Sequence, residues 1–270
     1  MTQDTQRESM SKLRVLYQLP GMETALVRSD IPYRDDEAGA LTMDVYYPHD
    51  STPSVISGRA PAVIFVTGFP DAGARMMFGS RFKEMGSFVS WARLVSASGL
   101  VGITYANSEP ADVRAVMAYV RQNAVALGID ETRIGIWACS GHGPMALTLL
   151  MESERLSCAV LAYPYTLDLD GATVVADAAR RFRFATVADR TIGNLSQYVP
   201  VFIARAGADA MPGLNASLDR FVAAALAANL PLTVTNVPAG SHAFDLVEAT
   251  PATRIAVQQM LAFLKLHLTA

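Results

Sequence analysis

The stretch RIGIWACSGHGPMAL, Arg133 to Leu147, decides how the chain is read. The apolar run RIGIWA has the character of a strand buried on both faces. A short glycine-containing turn follows, and Pro144–Met151 reads as a helix. A serine at the tip of such a turn has its Oγ thrust out above the sheet. It also stands at the N-terminus of the next helix, where unpaired backbone N–H groups favour negative charge. A nucleophile that forms an oxyanion intermediate needs both features. Two residues compete for the tip. With Ser140 there, the residue two before it (Ala138) is small, while the residue two after it (His142) is not. With Cys139 there, Gly141 fits and Trp137 does not. Ser140 is preferred because RIGIWA then has its full length before the turn and Gly143 adds a further small position. Cys139 stays open as the second candidate.

Working outward, similar buried runs recur on both sides: PAVIFVTG from Pro61, LVGITYA from Leu100, CAVLAYP from Cys158, VFIARA from Val201 and LTVTNV from Leu232. Helical spacing separates them, at Phe88–Ala97, Pro110–Leu127, Leu214–Ala228 and Pro251–Leu268. Strands alternating with helices predict one α/β domain over 1–270, a mostly parallel sheet with helices on both faces. Before Pro61, TALVRSDIPYR reads as extended, and Leu41, Met43, Val45 and Tyr47 alternate with Thr42, Asp44 and Tyr46 as in a half-buried antiparallel strand. DSTPSVISGRA, 50–60, is a loop by composition. Residues 1–20 read as a loosely attached polar arm with a short helix near Leu13–Leu19. Residues 165–198 interrupt the alternation with a mixed charge load, and two short helices are expected there, as a cap over the binding edge or as a solvated surface excursion.

Composition narrows the function classes. The 270 residues are 51% apolar and 17% charged, which supports a sizeable core and excludes a disordered chain. Twenty-two basic against 25 acidic residues, with no basic block, argue against nucleic-acid binding. Cys139 and Cys158 have neither a CxxC pattern nor a metal-ligand partner. The polar start MTQDTQRESMSKLR lacks a secretory apolar core, and no run of about 18 apolar residues suggests a membrane span. A soluble cytoplasmic protein is the expectation. No clustered histidines and carboxylates suggest a metal. No phosphate-binding glycine loop follows a strand, so no cofactor is implied. His49 and His267 read as surface residues. Asp130 reads as a turn residue before its strand, and Asp112 as a first-turn helix residue.

Two further stretches give the turn at Ser140 its partners. NVPAGSHAFD places His242 in a loop after a strand, and VFIARAGADAMPG places Asp209 in the loop after another. Ligands of open α/β sheets bind at the carboxyl ends of strands. Asp245, three residues past His242, is a rival acid, ranked lower because it falls in the first turn of a helix. Ser, Asp and His thus follow one another along the chain, each in a post-strand loop.

With VYYP, FVTGFPDAG, RIGIWACSGHG, ARAGAD and GSHAFD in that order, the chain from about Thr24 onward resembles the α/β-hydrolases, and more narrowly their dienelactone-hydrolase and carboxylesterase branches. The family's Gly-x-Ser-x-Gly is here Ala138-Cys139-Ser140-Gly141-His142. The resemblance implies a cofactor-independent serine hydrolase acting on a small-molecule carboxylic ester through an acyl-enzyme. Ser140 would be the nucleophile, His242 the general base and Asp209 its orienting acid. The backbone N–H groups of Gly141 and Phe69 would form the oxyanion hole. The loop FPDAGARMMFG suits a wall of an apolar pocket, which Cys139 would also line; His142 reads either as a pocket residue that could reach a bound anion or as a partly buried, hydrogen-bonded structural one. Dienelactone hydrolases use cysteine, which would make Cys139 the nucleophile. A non-catalytic binding protein, a peptidase and a carbon–carbon bond hydrolase are further readings on the same fold. An arm or an edge strand leaves room for a homodimer.

Overall fold

A computed structural model of the chain describes residues 10–37, 39–48, 59–152, 155–187 and 190–269. Among these, eight strands form one sheet: β1 (Leu26–Asp36), β2 (Gly39–Tyr47), β3 (Ala60–Phe65), β4 (Val101–Tyr105), β5 (Ile129–Cys139), β6 (Cys158–Ala162), β7 (Val201–Ala206) and β8 (Leu232–Val237). Their spatial order is β1-β2-β4-β3-β5-β6-β7-β8. β2 runs antiparallel to both β1 and β4, and all other pairs are parallel. Each run read from the sequence overlaps one of the strands β3 to β8, but β8 is the edge of the sheet and is exposed or half-buried along most of its length instead of buried. β5 begins earlier than expected, at Ile129, and Asp130 lies inside it, accepting the Thr132 N–H at 2.9 Å.

Successive residues of each buried strand face opposite cores. Ala62 and Ile64 join one cluster, while Val63 and Phe65 join the other. The first core is closed by α3 (Val113–Gln122), α5 (Gly143–Met151) and α7 (Leu214–Ala227). The second is closed by α2 (Gly86–Ala97) and α9 (Pro251–Thr269). Helix α1 (Asp71–Phe78) and the short α4 (Ala124–Leu127), α6 (Val174–Phe182) and α8 (Phe244–Val247) complete the set. Because β3 and β5–β8 are parallel, the loops carrying Phe69, Ser140, Asp209 and His242 all leave the same edge of the sheet.

Several expectations are corrected. From Met43 on, β2 is buried on both faces, since Asp44 receives the buried Lys83 ammonium at 2.8 Å and Tyr46 packs into the second core. Pro110–Leu127 is broken into a 3-10 turn and two helices, and α1 was not anticipated. The arm from Met10 onward is docked, and 13–19 is irregular instead of the short helix expected near Leu13–Leu19. Val15 is buried and its N–H donates to Ser90 Oγ at 2.9 Å, while Leu16 N–H donates to the Asp245 carbonyl at 2.9 Å. Only a glycine permits this seat, because a Cβ on Gly86 would lie 2.7 Å from the Leu13 carbonyl oxygen. His267 is half-buried, its ring 4.4 Å from that of Phe263. His49 and most of the 50–60 loop lie outside the described residues.

Among the described residues between Tyr165 and Tyr198 the chain forms α6 and one 3-10 turn (Ile192–Asn194), where two short helices are expected. Leu167, Val175, Phe184 and Leu195 anchor this stretch to the first core. No helix of the described residues is long and apolar enough to cross a membrane.

Candidate active site

β5 ends on Cys139 in extended backbone. Ser140 then turns into the left-handed region with φ 49°, and a 3-10 turn (Ser140–His142) feeds α5. A serine held there stores roughly 1–3 kcal/mol of backbone strain. The carbonyl of Ser140 accepts the N–H groups of Gly143 and of Tyr165, the latter at 3.0 Å, which holds the turn.

His242 reaches this serine from the loop after β8. Its Nε2 lies 2.9 Å from Ser140 Oγ, and its Nδ1 lies 2.6 Å from Asp209 Oδ2. Asp209 Oδ1 accepts the Met211 N–H at 2.8 Å, and its side chain is fully shielded from water. An ionised carboxylate only accepts, so Nδ1 carries the ring proton and Nε2 offers its lone pair to the hydroxyl. The loops bearing Asp209 and His242 are tied together, Ala208 N–H donating to the Gly240 carbonyl at 2.9 Å.

Asp245 takes no part in this chain. It is buried, and its oxygens accept the Trp91 indole N–H at 2.6 Å and the Tyr163 hydroxyl at 2.7 Å. Burial raises its pKa. Tyr163 also presses edge-on against the His242 ring, centroids 5.0 Å apart. Cys139 makes no bond to His242 among the described residues, and burial, with the Asp245 charge nearby, pushes its thiol well above the usual range. That thiol is protonated at neutral pH and a poor nucleophile.

The N–H groups of Gly141 and Phe69 donate to no acceptor among the described residues. The loop carrying Phe69 is held by a buried network that the sequence did not single out. Thr67 N–H donates to the Tyr105 hydroxyl oxygen at 3.0 Å. Asn107 Nδ2 donates to Thr67 Oγ1 at 2.9 Å and to the Phe69 carbonyl at 3.0 Å, and Asn107 N–H donates to Asp71 Oδ2 at 3.0 Å. Asn107 had no local signal beyond that of a turn residue after β4.

A cavity of about 180 Å³ opens beside Ser140, His142 and His242. Phe69, Phe82, Phe88 and Trp91 form much of it, with Met10 and Leu13 of the N-terminal arm on another side. Of the loop FPDAGARMMFG, Phe69 and Phe78 line it, while Met76 is exposed to solvent. None of the lining residues comes from 165–198; that segment approaches the site through Phe184, whose ring lies 5.7 Å from that of Phe69.

His142 is buried among the rings of Phe69, Phe82 and Phe88. Burial lowers its pKa to about 3. Above pH ~6.5 it is neutral in folded and unfolded chains alike. Below that, the unfolded chain takes up a proton that the folded chain refuses, so stability falls by about 1.4 kcal/mol per pH unit until the folded pKa is reached. Between pH 7 and pH 5, urea unfolding is therefore expected to show wild type losing about 2 kcal/mol more than a His142→Asn variant. Equal losses would mean the imidazole is not held neutral.

No family model matches the sequence, and a comparison with curated proteins gives no match. Among solved structures the chain is similar to a thermostable esterase from Pseudomonas putida, at 16% identity and TM-score 0.71, covering 99% of this chain and 91% of that one. It is also similar to esterase 2 of Thermogutta terrifontis, solved phosphoramylated by tabun, at 18% identity and TM-score 0.62, covering 94% of this chain and 97% of that one. A third, DphMB1, has 22% identity and TM-score 0.65 over 98% of this chain and 92% of that one. With the sheet order described above, these likenesses establish the α/β-hydrolase fold.

Proposed function

We propose that the chain is a serine hydrolase that cleaves a carboxylic ester through an acyl-enzyme. The observation that carries this reading is the hydrogen-bonded run Asp209–His242–Ser140, at 2.6 and 2.9 Å, ending at the mouth of an apolar cavity. His242 Nε2 takes the Ser140 proton as Oγ attacks the ester carbonyl. The oxyanion that forms is met by the N–H groups of Gly141 and Phe69. His242 then gives its proton to the departing alkoxide, and water repeats the sequence on the acyl-serine. Asp209 keeps the imidazole in the required tautomer and stabilises its charged form. Two of the structural neighbours are esterases, in agreement with an ester substrate. The protonated Cys139 thiol, without a bond to His242, argues against a cysteine nucleophile.

Treatment with a fluorophosphonate probe is expected to modify Ser140, identified by peptide mass spectrometry, and p-nitrophenyl esters of short and medium acyl chains are expected to turn over. A modified residue other than Ser140, or tight ester binding without turnover, would overturn the reading.

The cavity's composition points to an apolar acyl group, and the docked arm sets how much of one fits. Leu13→Trp is expected to cut kcat/KM for an octanoyl ester by roughly 10-fold or more while changing the acetyl ester little, in keeping with the energies of methylene-sized pocket changes. A uniform effect on both esters would show that the arm does not bound the acyl site.

A further inference from the structure

The turn at Ser140 departs from the pattern it resembles at its second following position, where His142 stands in place of glycine. A small residue is wanted there because two backbones meet closely. In this chain the facing loop yields instead: a Cβ on Gly68 would lie 2.4 Å from the Gly141 carbonyl oxygen and 2.9 Å from His142 Cα. Gly68 is therefore forced to be glycine, the residue with the widest backbone freedom. It directly precedes Phe69, whose N–H is one of the two unengaged donors beside Ser140. A freely pivoting residue next to a donor that must be aimed would weaken that donor, since such groups act by being oriented in advance.

The structure shows what removes the freedom. Gly68 N–H donates to His142 Nδ1 at 2.8 Å, and the Gly68 carbonyl accepts the Ala185 N–H at 2.7 Å. The peptide groups on both sides of the Gly68 Cα are thus held. The imidazole is itself fixed by the rings of Phe69, Phe82 and Phe88, at centroid distances of 5.0, 4.8 and 5.5 Å.

We propose that His142 is a positioning residue, which accepts the Gly68 N–H and so aims the Phe69 N–H at the oxyanion formed on Ser140. The proposal rests on the reading of Ser140 as nucleophile. A residue that merely filled space would be replaceable by any apolar side chain of similar size; a residue that acts as acceptor is replaceable only by another acceptor.

The test compares full-length wild type, His142→Leu and His142→Asn. Leucine keeps an apolar filling among the phenylalanines and accepts nothing, whereas the asparagine Oδ1 stands near the place of Nδ1. With p-nitrophenyl butyrate, His142→Leu is expected to lower kcat by about 10- to 100-fold with KM within about threefold, part of what losing an oxyanion donor costs. His142→Asn is expected to recover most of that loss. Amide hydrogen exchange over residues 66–71, read by mass spectrometry, is expected to be faster in His142→Leu and restored in His142→Asn, whether or not ester is turned over. Wild-type kcat and exchange in His142→Leu would overturn the proposal. So would a folded His142→Asn as impaired as the leucine variant. Fluorophosphonate labelling of wild type separates the two claims. An unlabelled Ser140 overturns the nucleophile reading and the proposal with it; normal labelling with unchanged leucine-variant kinetics and exchange overturns the role of His142 alone.

Discussion

Ser140→Ala is expected to lower ester turnover by about 10⁶ in kcat and to abolish fluorophosphonate labelling, the loss seen when a hydroxyl nucleophile is removed from a working triad. The fold should survive, because alanine at φ 49° bears a left-handed strain similar to that borne by serine. The turn is held by backbone bonds to the Ser140 carbonyl, which the substitution leaves in place. Residual catalysis should remain above the rate in water, since the N–H donors and the cavity still bind and orient the ester. Circular dichroism and melting temperature check the fold, and a single-turnover assay checks the chemistry. Undiminished turnover would sink the assignment. Reactivity passing to a thiol reagent in the Ser140→Ala variant would revive Cys139.

The second large effect separates two carboxylates near the same imidazole, Asp209 in contact with it and Asp245 three residues along the chain. Asp209→Asn is expected to lower kcat by about 10⁴. Asparagine can turn an N–H toward His242 Nδ1, which then must accept; the ring proton moves to Nε2, and Nε2 loses the lone pair that Ser140 needs. Asp245→Asn should act mainly on stability instead. Its two oxygens accept one donor each, from Trp91 and Tyr163. Asparagine can keep the indole N–H on Oδ1, but Nδ2 then faces the Tyr163 hydroxyl, whose oxygen must accept and whose proton loses its carboxylate acceptor in a buried site, at about 1–3 kcal/mol. Any effect on kcat should be far smaller than that of Asp209→Asn, transmitted only through the Tyr163 ring beside His242. Denaturant unfolding together with kcat for both variants decides the matter. The reverse pattern would make Asp245 the acid that serves His242.

Much of the architecture was legible because buried parallel strands are written as local runs: PAVIFVTG, RIGIWA and CAVLAYP need no distant partner to be read. The helix at Asp71–Phe78 was missed, because DAGARMMF carries a glycine and its apolar residues do not form a long face. The alternation of Leu41, Met43, Val45 and Tyr47 with Thr42, Asp44 and Tyr46 reads as half-buried; the Lys83 ammonium that makes the burial of Asp44 tolerable comes from a segment 39 residues away. The arm was read as loose because residues 1–14 are polar, while its attachment rests on Val15 and on backbone contacts to Gly86, Ser90 and Asp245.

At the site, the order Ser140, Asp209, His242 could be taken from the chain itself, since each follows a recognisable strand and parallel strands deliver their following loops to one edge. Which of two aspartates meets His242, which segment walls the cavity, and how a histidine stands in a glycine's place were decided only in three dimensions. Ser140 and His242 are 102 residues apart, and His142 and Gly68 are 74 apart. Local patterning records how each strand and helix is buried. It does not record the angle at which two loops leave a sheet, and hydrogen bonds of 2.6 to 2.9 Å are settled by that angle.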